Sequence, residues 1–310
     1  MDPLNALYQK LNEELPDLVL RRNEPMARHT TFRVGGPAAL MALPSREDQL
    51  AAILRLAHQE GVQPFFLGRG SNLLVADEGV EMFLLKLTGG LTRLDRREEN
   101  GLYVGSGVTL AQAASFAAEQ GLSGLEFAHG IPGTLGGGVF MNAGAYDGEM
   151  AQVLQWVDCL DQEGQSHRLS GAELELGYRH SVFSRRPWLI TGAALTLTPG
   201  EPQQIRETMA ELAQRRRSKQ PLEYASAGST FKRPAGHFAG GLIEQCGLKG
   251  TAVGGAQVSE KHAGFVINTG GATCRDVLAL IRLVRDTVRR ETGVELEPEV
   301  RLLGCTLEEA

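Results

Sequence analysis

The spacing of apolar residues changes period along this chain and marks helices and strands in turn. MDPLNALYQKLNEELPD is a helix-like opening, and TTFRVGGPAALMALPS then alternates as a strand pair leading into a turn. Ser45 and Asp48 read as a capping box for EDQLAAILRLAHQEG, where Leu50, Ile53, Leu54 and His58 share a face and Gly61 ends the helix. PFFLG (64–68), MFLLKL (82–87) and GLYVGSG (101–107) have the length and apolar content of strands. Thr109 caps a second helix, LAQAASFAAEQ, which stops at Gly121. This βαβ-like rhythm predicts an α/β region over residues 20–198, behind an N-terminal helical segment at 1–19.

Near residue 200 the polar stretch TPGEPQQ reads as a domain boundary. Beyond it the pattern gives a helix over 203–218 and turn-and-strand segments in QCGLKGTAVGGAQVS and AGFVINTG. A helix boxed by Thr273 and Asp276 runs to Glu291, with Val277, Leu280, Ile281, Val284 and Val288 on its core face. VELEPEVRLLG closes the chain as a final strand. The predicted fold class is mixed α+β, divided into 20–198 and 199–310.

Composition changes this picture in one respect. The chain has 310 residues, 42% apolar and 22% charged, which is ordinary for about two globular domains. Its 38 glycines exceed the usual ~7% share and follow no collagen-like period. They cluster in mid-chain, where they mark turns and places of close backbone approach to a ligand. The net charge of −6 argues against a nucleic-acid surface. RRRSK (215–219) is the one basic cluster; at a helix end it complements the dipole, with a phosphate contact as the other reading. Cys159, Cys246, Cys274 and Cys305 are widely separated, a spacing that fits neither a zinc site nor a disulfide framework. Acids stand where a signal peptide has its apolar core, and no apolar run approaches membrane length. The expectation is a reduced, cytoplasmic, soluble protein without a metal.

Two glycine-rich loops carry the cofactor signal. GRGSNLLV (68–75) follows an apolar strand directly, and its glycines free backbone N–H groups for an anion while Ser71 and Asn72 add donors. GLEFAHGIPGTLGGGVFMNAGAYDGEM (124–150) offers bare backbone to a pyrophosphate or a flat ring. No GxGxxG and no GxxxxGK[ST] occurs, so neither a Rossmann fingerprint nor a P-loop is present. Tight turns of a glycine-rich scaffold are the plain alternative.

Three further residues could carry chemistry. Arg179, in YRHSVF, suits bidentate recognition of a carboxylate or phosphate, or a structural ion pair. Glu299 lies in the final strand, where alternation puts Glu297, Glu299 and Arg301 on one face, by default an exposed one. Ser229, in ASAGSTFKRP, reads as nucleophile, proton donor, phosphate contact or polar turn. The order AGSTF is not the GxSxG of a nucleophile elbow, and no nearby base is evident, which disfavours acyl transfer. A serine donates a proton plausibly only to a strongly basic species such as a carbanion or enolate.

Together TTFRVGGPA, LGRGSNLLVAD, GLEFAHGIPGTLGGGVFMNAGAY, YRHSVF, SAGSTFKRP and LEPEVRLLG resemble the UDP-N-acetylenolpyruvoylglucosamine reductase family, in order and over residues 30–304. The resemblance implies an FAD-binding domain of the vanillyl-alcohol oxidase type, with two subdomains meeting near 90–100, and a substrate domain over 199–310. It implies NADPH-dependent reduction of the enolpyruvyl ether of UDP-N-acetylglucosamine to UDP-N-acetylmuramate, a step of bacterial peptidoglycan precursor synthesis. Hydride would pass from flavin N5 to the double bond. Arg179 would bind the substrate carboxylate, Glu299 would assist there, and Ser229 would protonate the α-carbon. FAD contacts are implied at Gly68, Arg69, Gly70, Ser71, Asn72 and Leu73. A second set is implied at Gly130, Ile131, Pro132, Gly133, Thr134, Gly137, Gly138, Asn142, Ala143 and Gly144. Substrate contacts are implied at Tyr178, Lys219, Lys261 and His262, and at Arg233, which stands where other members have asparagine. TGAALTLTPGEPQQ is too short for the tyrosine-bearing insertion of some members, which places the chain in the shorter subgroup. No protein partner is implied. Another FAD oxidoreductase of the same superfamily, or a non-catalytic nucleotide-sugar or flavin binder, are the competing readings.

Overall fold

Most of the predicted helices form where their end signals place them. In the computed structural model, which describes residues 2–87, 91–98 and 100–309, α1 spans Pro3–Glu14, α2 Glu47–Gln59 and α3 Leu110–Glu119. Thr109 Oγ1 accepts the Gln112 N–H at 3.1 Å while Gln112 Oε1 accepts the Thr109 N–H at 3.0 Å, the reciprocal box that starts α3. At α2 the cap differs from expectation. Gln49, not Asp48, reaches back to the N–H groups of Ser45 and Arg46 at 2.9 and 3.3 Å. Asp48 is turned outward onto the Arg46 guanidinium at 3.0 Å. His58 is exposed, and Leu56 and Ala57 complete the buried stripe instead.

Two expected strands are corrected. TTFRVGG is irregular because Arg33 and Gly35 take φ of 56° and 125°, outside any strand. The strand that precedes Pro37–Leu43 is Val19–Pro25, whose polar sequence concealed it. Of VELEPEVRLLG only Arg301–Leu303 is strand, preceded by a bridge from Pro298 to Phe231.

The chain forms two compact units, each made of discontinuous segments. The first takes Met1–Arg22, Leu40–Gly68 and Met82–Arg215; the second takes Asn23–Ala39, Arg69–Glu81 and Arg216–Ala310. A single cut near 199 therefore does not separate them. Arg301–Leu303 pairs in parallel with Leu73–Val75, which draws 69–81 into the second unit. Ile205 and Met209 of α5 (Pro202–Lys219) pack into a core of the first unit and hold 199–215 there. The subdomain border expected near 90–100 includes residues 90 and 99, which lie outside the described residues.

In the first unit Pro64–Leu67 runs parallel to Val80–Lys86 within a four-stranded sheet. Leu50, Ile53 and Leu54 of α2 and Leu7 and Leu11 of α1 share one core with Phe83 and Leu85. A second core covers the five-stranded antiparallel sheet ordered Ser166–Ser170, Leu154–Leu160, Leu189–Thr196, Gly101–Gly105, Leu94–Arg96. The alanine face of α3 and Leu135 and Val139 of α4 (Leu135–Phe140) fill it.

The second unit has one core. Helix α7 (Cys274–Thr292) buries Val277, Leu280, Ile281, Val284 and Val288, as its period predicts, against Phe32, Leu74, Ile243 and Phe231. Its antiparallel sheet runs Ala225–Ser226, Val266–Asn268, Ala256–Val258, Ala252–Val253. Helix α6 is Ala239–Gln245. The thiols of Cys274 and Cys305, remote in sequence, are hydrogen-bonded at 3.5 Å and not joined as a disulfide.

Thr273 and Asp276 form the box that opens α7, and Gly293 at φ 73° closes it. Asp77, the last residue of LGRGSNLLVAD, adds a second cap: its carboxylate accepts the N–H of Cys274 at 2.7 Å and of Arg275 at 3.1 Å. Asp77→Ala strands two N–H groups at the start of α7. It is expected to lower stability by about 1–2 kcal/mol, seen as a lower urea midpoint at unchanged m-value.

Candidate active site

Ser229 is exposed, but the residues beside it are fixed. Ala227 is buried, and Gly228 takes φ 78°, a conformation that favours glycine. Thr230 is buried at 2% exposure. Its N–H donates to Gly264 O at 2.9 Å, its Oγ1 accepts the Val266 N–H at 2.9 Å, and its carbonyl accepts the Glu299 N–H at 2.8 Å. Lys232 N–H donates to Glu297 O at 2.8 Å. The AGSTF and EPEV motifs thus lie side by side, and two of the three candidate catalytic residues sit on neighbouring backbones of one unit.

Glu299 is held from a second direction by Asn72. The Asn72 side-chain amide donates to Glu299 O at 3.1 Å, and the Arg301 N–H donates to Asn72 O at 3.0 Å. The first glycine loop therefore positions Glu299. Leu73, the next residue, is buried in the strand pairing with Arg301. Gly70, at φ 61°, has no room for a side chain: a Cβ would stand 2.1 Å from His29 O.

Arg179 belongs to the first unit. Gly177 and His180 exchange both backbone hydrogen bonds at 3.1 Å, which makes Tyr178 and Arg179 the tip of a two-residue turn. Arg179 takes φ 52°, a left-handed conformation costing a non-glycine residue on the order of 1 kcal/mol. Two buried anchors hold it there. Ser181, fully buried, donates from Oγ to Phe140 O at 2.7 Å, and Asn142 Nδ2 donates to Gly177 O at 3.1 Å. Asn142 Oδ1 also accepts the Ala151 N–H at 2.9 Å. Asn142, expected as a cofactor contact, has its side chain engaged in supporting the arginine turn. The guanidinium lies 5.1 Å from the ring centroid of exposed Tyr178.

Of the second glycine loop, Gly133 closes a tight turn with Ile131, and Thr134 caps α4 through Oγ1 and the Gly137 N–H at 3.4 Å. A Cβ on Gly68 would stand 2.6 Å from that same Oγ1, so Gly68 is required for Thr134 to pack. Gly136 and Gly138 face Ser106 and Leu110 at 3.1 and 3.2 Å. Gly137 is different. It is exposed, not left-handed, and a Cβ there would find only Thr134 Oγ1 at 3.7 Å. No neighbour in the chain demands a glycine at 137, and glycine costs a helix roughly 0.5–1 kcal/mol relative to alanine. Bare backbone at that point fits a ligand lying against it.

The nucleotide candidates are spread along the second unit. Lys219 is exposed at the C-terminal end of α5, and Lys261 is paired with Glu223 at 3.6 Å. His262 is half-buried, and its Nδ1 accepts the Gly264 N–H at 3.1 Å, which leaves Nε2 as the N–H of the neutral ring. Burial holds its pKa below the ordinary 6.5.

Comparison with known proteins places both glycine-rich loops inside one family match. An FAD-binding-domain model matches residues 38–170, and a model of the C-terminal domain of UDP-N-acetylenolpyruvoylglucosamine reductase matches 220–303. The protein of that name from Caldanaerobacter subterraneus is 46% identical over 298 residues, spanning 96% of this chain and 98% of that one. Its counterpart from Clostridium perfringens is 46% identical over 304 residues, 98% and 99% of the two chains. The crystal structure of the Thermus caldophilus enzyme superposes with a TM-score of 0.80 at 36% identity, covering 92% of this chain and 99% of that one. The chain belongs to the UDP-N-acetylenolpyruvoylglucosamine reductase family. Membership makes it an FAD-dependent oxidoreductase, and the glycine-lined face at Gly137 is consistent with the cofactor the family model names.

Two expectations follow for this family member. Gly137→Ala should keep or slightly raise the thermal stability of the flavin-free protein, yet weaken FAD retention. Comparison of melting with FAD titration separates the two effects. For His262 the folded state binds fewer protons than the unfolded chain below pH 6.5. Stability should therefore fall as pH drops through and below that value, and His262→Gln should flatten this part of the urea-midpoint profile.

Proposed function

We propose that this chain reduces the enolpyruvyl ether of UDP-N-acetylglucosamine to UDP-N-acetylmuramate, with FAD as carrier and NADPH as electron source. The supporting observation from geometry is the bond from Glu299 N–H to Thr230 O, which seats the serine and the glutamate of the family motifs together. The glycine-rich loops at 68–73 and 130–144 would hold FAD, which would supply hydride transfer between NADPH and the double bond of the substrate.

The residues then divide the remaining work. Hydride addition at the β-carbon moves negative charge onto the α-carbon and its carboxylate. Arg179 is suited to hold that carboxylate through two parallel N–H bonds. The rigid turn under it means that little reorganisation is needed as the charge grows. Glu299, when protonated, hydrogen-bonds the same group. Ser229 Oγ gives its proton to the α-carbon and is reprotonated from water. An alcohol is a weak acid, but the enolate it meets is basic enough for that transfer.

Lys219, Lys261, His262 and Arg233 are assigned to the UDP moiety. The segment 197–201 alone joins the strand Leu189–Thr196 to α5, so no insertion stands there to close over the nucleotide. The chain is read as the shorter subgroup. Among the described residues no helix is long and apolar enough to cross a membrane. A cytoplasmic site of action, supplying precursor for the cell wall and through it for cell shape and division, suits a nucleotide-sugar substrate.

Ser229→Ala tests the assignment by half-reaction. Reduction of the flavin by NADPH should proceed within about twofold of the unmodified rate. Reoxidation by enolpyruvyl substrate should slow by roughly 10²–10⁴, the range of a lost general acid. Equal rates in both half-reactions would remove Ser229 from the proton path.

A further inference from the structure

Residues 30–33 form a tight turn against the first glycine loop. The Arg33 N–H donates to Thr30 O at 3.2 Å, the Thr30 hydroxyl donates to Val34 O at 3.0 Å, and Arg33 takes φ 56°. A left-handed arginine persists only where surrounding contacts fix it. Phe32 supplies two of these contacts. It is 1% exposed in the core of the second unit, and its carbonyl accepts a hydrogen bond from Asn268 Nδ2 at 3.1 Å.

Thr31, within this turn, bonds in two directions. Its N–H donates to Gly70 O at 3.2 Å, and its hydroxyl donates to Ser226 O at 2.7 Å. Ser226 ends the edge strand Ala225–Ser226, which pairs with Val266–Asn268 at only two positions, Ala225 opposite Asn268 and Ser226 opposite Ile267. Ser229 follows three residues later. Between them Ala227 is buried, and the Gly228 N–H donates back to Ser226 Oγ at 3.5 Å. On the far side Thr230 is fixed to Gly264, Val266 and Glu299. Ser229 therefore sits on a short span clamped at both ends, and Thr31 is the clamp on its N-terminal side.

We propose that Thr31 is a positioning residue for Ser229, setting the serine segment in register with the first glycine loop. A two-residue strand supplies few ladder bonds, so a side-chain bond to its last carbonyl matters more than it would in a longer strand. Threonine suits the task because its branched Cβ restricts χ1 and holds the hydroxyl in place. Without that hydroxyl the span before Ser229 is free to shift, and a displacement of about 1 Å at a reacting group costs up to roughly 10² in rate. The effect passes through Ser229, so it belongs to the step that uses Ser229 and not to flavin reduction. The inference rests on the reading of the chain as an enolpyruvyl reductase with Ser229 as proton donor.

The test follows the two half-reactions of the FAD-loaded enzyme by stopped-flow absorbance of the flavin. Thr31→Val keeps the side-chain shape and the N–H bond to Gly70 O. Its reduction by NADPH should stay within about twofold of the unmodified rate, while reoxidation by enolpyruvyl substrate should slow by roughly 10–10². The solvent deuterium isotope effect on reoxidation should rise, because proton transfer then limits the step. Thr31→Ser restores the hydroxyl and should recover most of the rate. In a Ser229→Ala background, Thr31→Val should cause no further loss. If Thr31→Val melts well below the unmodified enzyme, Thr31→Ser against Thr31→Ala isolates the hydroxyl, since both lack the methyl group. Unchanged reoxidation, equal slowing of both half-reactions, or additive loss in the double variant overturns the inference. Normal reoxidation of Ser229→Ala alone, or no turnover by the unmodified enzyme, would instead overturn the function on which it rests.

Discussion

Thr230 joins three segments that no local rule would bring together. Its amide, hydroxyl and carbonyl bind Gly264, Val266 and Glu299, and the residue is 2% exposed. An unmade hydrogen bond at such depth costs on the order of 1–3 kcal/mol, so the three contacts are kept or lost together. Ser229 projects from this staple, with a left-handed glycine on its other side. A hydroxyl so placed is exposed yet has little backbone freedom, which suits the proton transfer proposed for it. Asn72 and the parallel pairing of Leu73–Val75 with Arg301–Leu303 hold Glu299 from the opposite side.

The same logic recurs at Arg179. Its left-handed turn is a strained choice for an arginine, and the cost is carried by Ser181 and Asn142, both buried and both spent on backbone groups. In YRHS and AGST the residue proposed to touch substrate stands within two positions of a small polar residue whose side chain binds backbone instead. Ser181 explains the serine of YRHS, Thr230 the threonine of AGST, and Asn72 the asparagine of GRGSN.

Much of this was legible in the sequence where a signal is local. The boxes at Thr109 and Thr273 and the core stripe of α7 follow from side chains within one or two turns of each other. What failed were features set by distant residues. TTFRVGG alternates like a strand, but Gly35 and Gly36 bring its backbone against Val75 and Asp77, so tertiary packing overrides the period. The strand Val19–Pro25 is polar because most of it faces solvent, and so gave no apolar signal. The place of 69–81 in the second unit follows from the parallel pairing of Leu73–Val75 with Arg301–Leu303, far apart in sequence. For the site, the family resemblance named the residues, whereas residue chemistry alone left Ser229, Arg179 and Glu299 each with a structural alternative. The structural contacts of Asn72 and Asn142 had no sequence signal beyond their neighbourhood.

Glycine content illustrates why a composition-based reading stops where it does. A glycine-rich loop mixes two demands: room for the chain's own neighbours and room for a ligand. At Gly68, Gly70, Gly144 and Gly148 a Cβ would lie 2.1–2.7 Å from atoms of the same chain, so packing alone requires glycine there. At Gly137 it would meet nothing closer than 3.7 Å, and the backbone is ordinary helix. Helix propensity works against glycine at that position, and no internal contact offsets the loss. The loop's glycines therefore do not carry equal weight: Gly137 is one that the fold does not need, and bare backbone there fits a ligand.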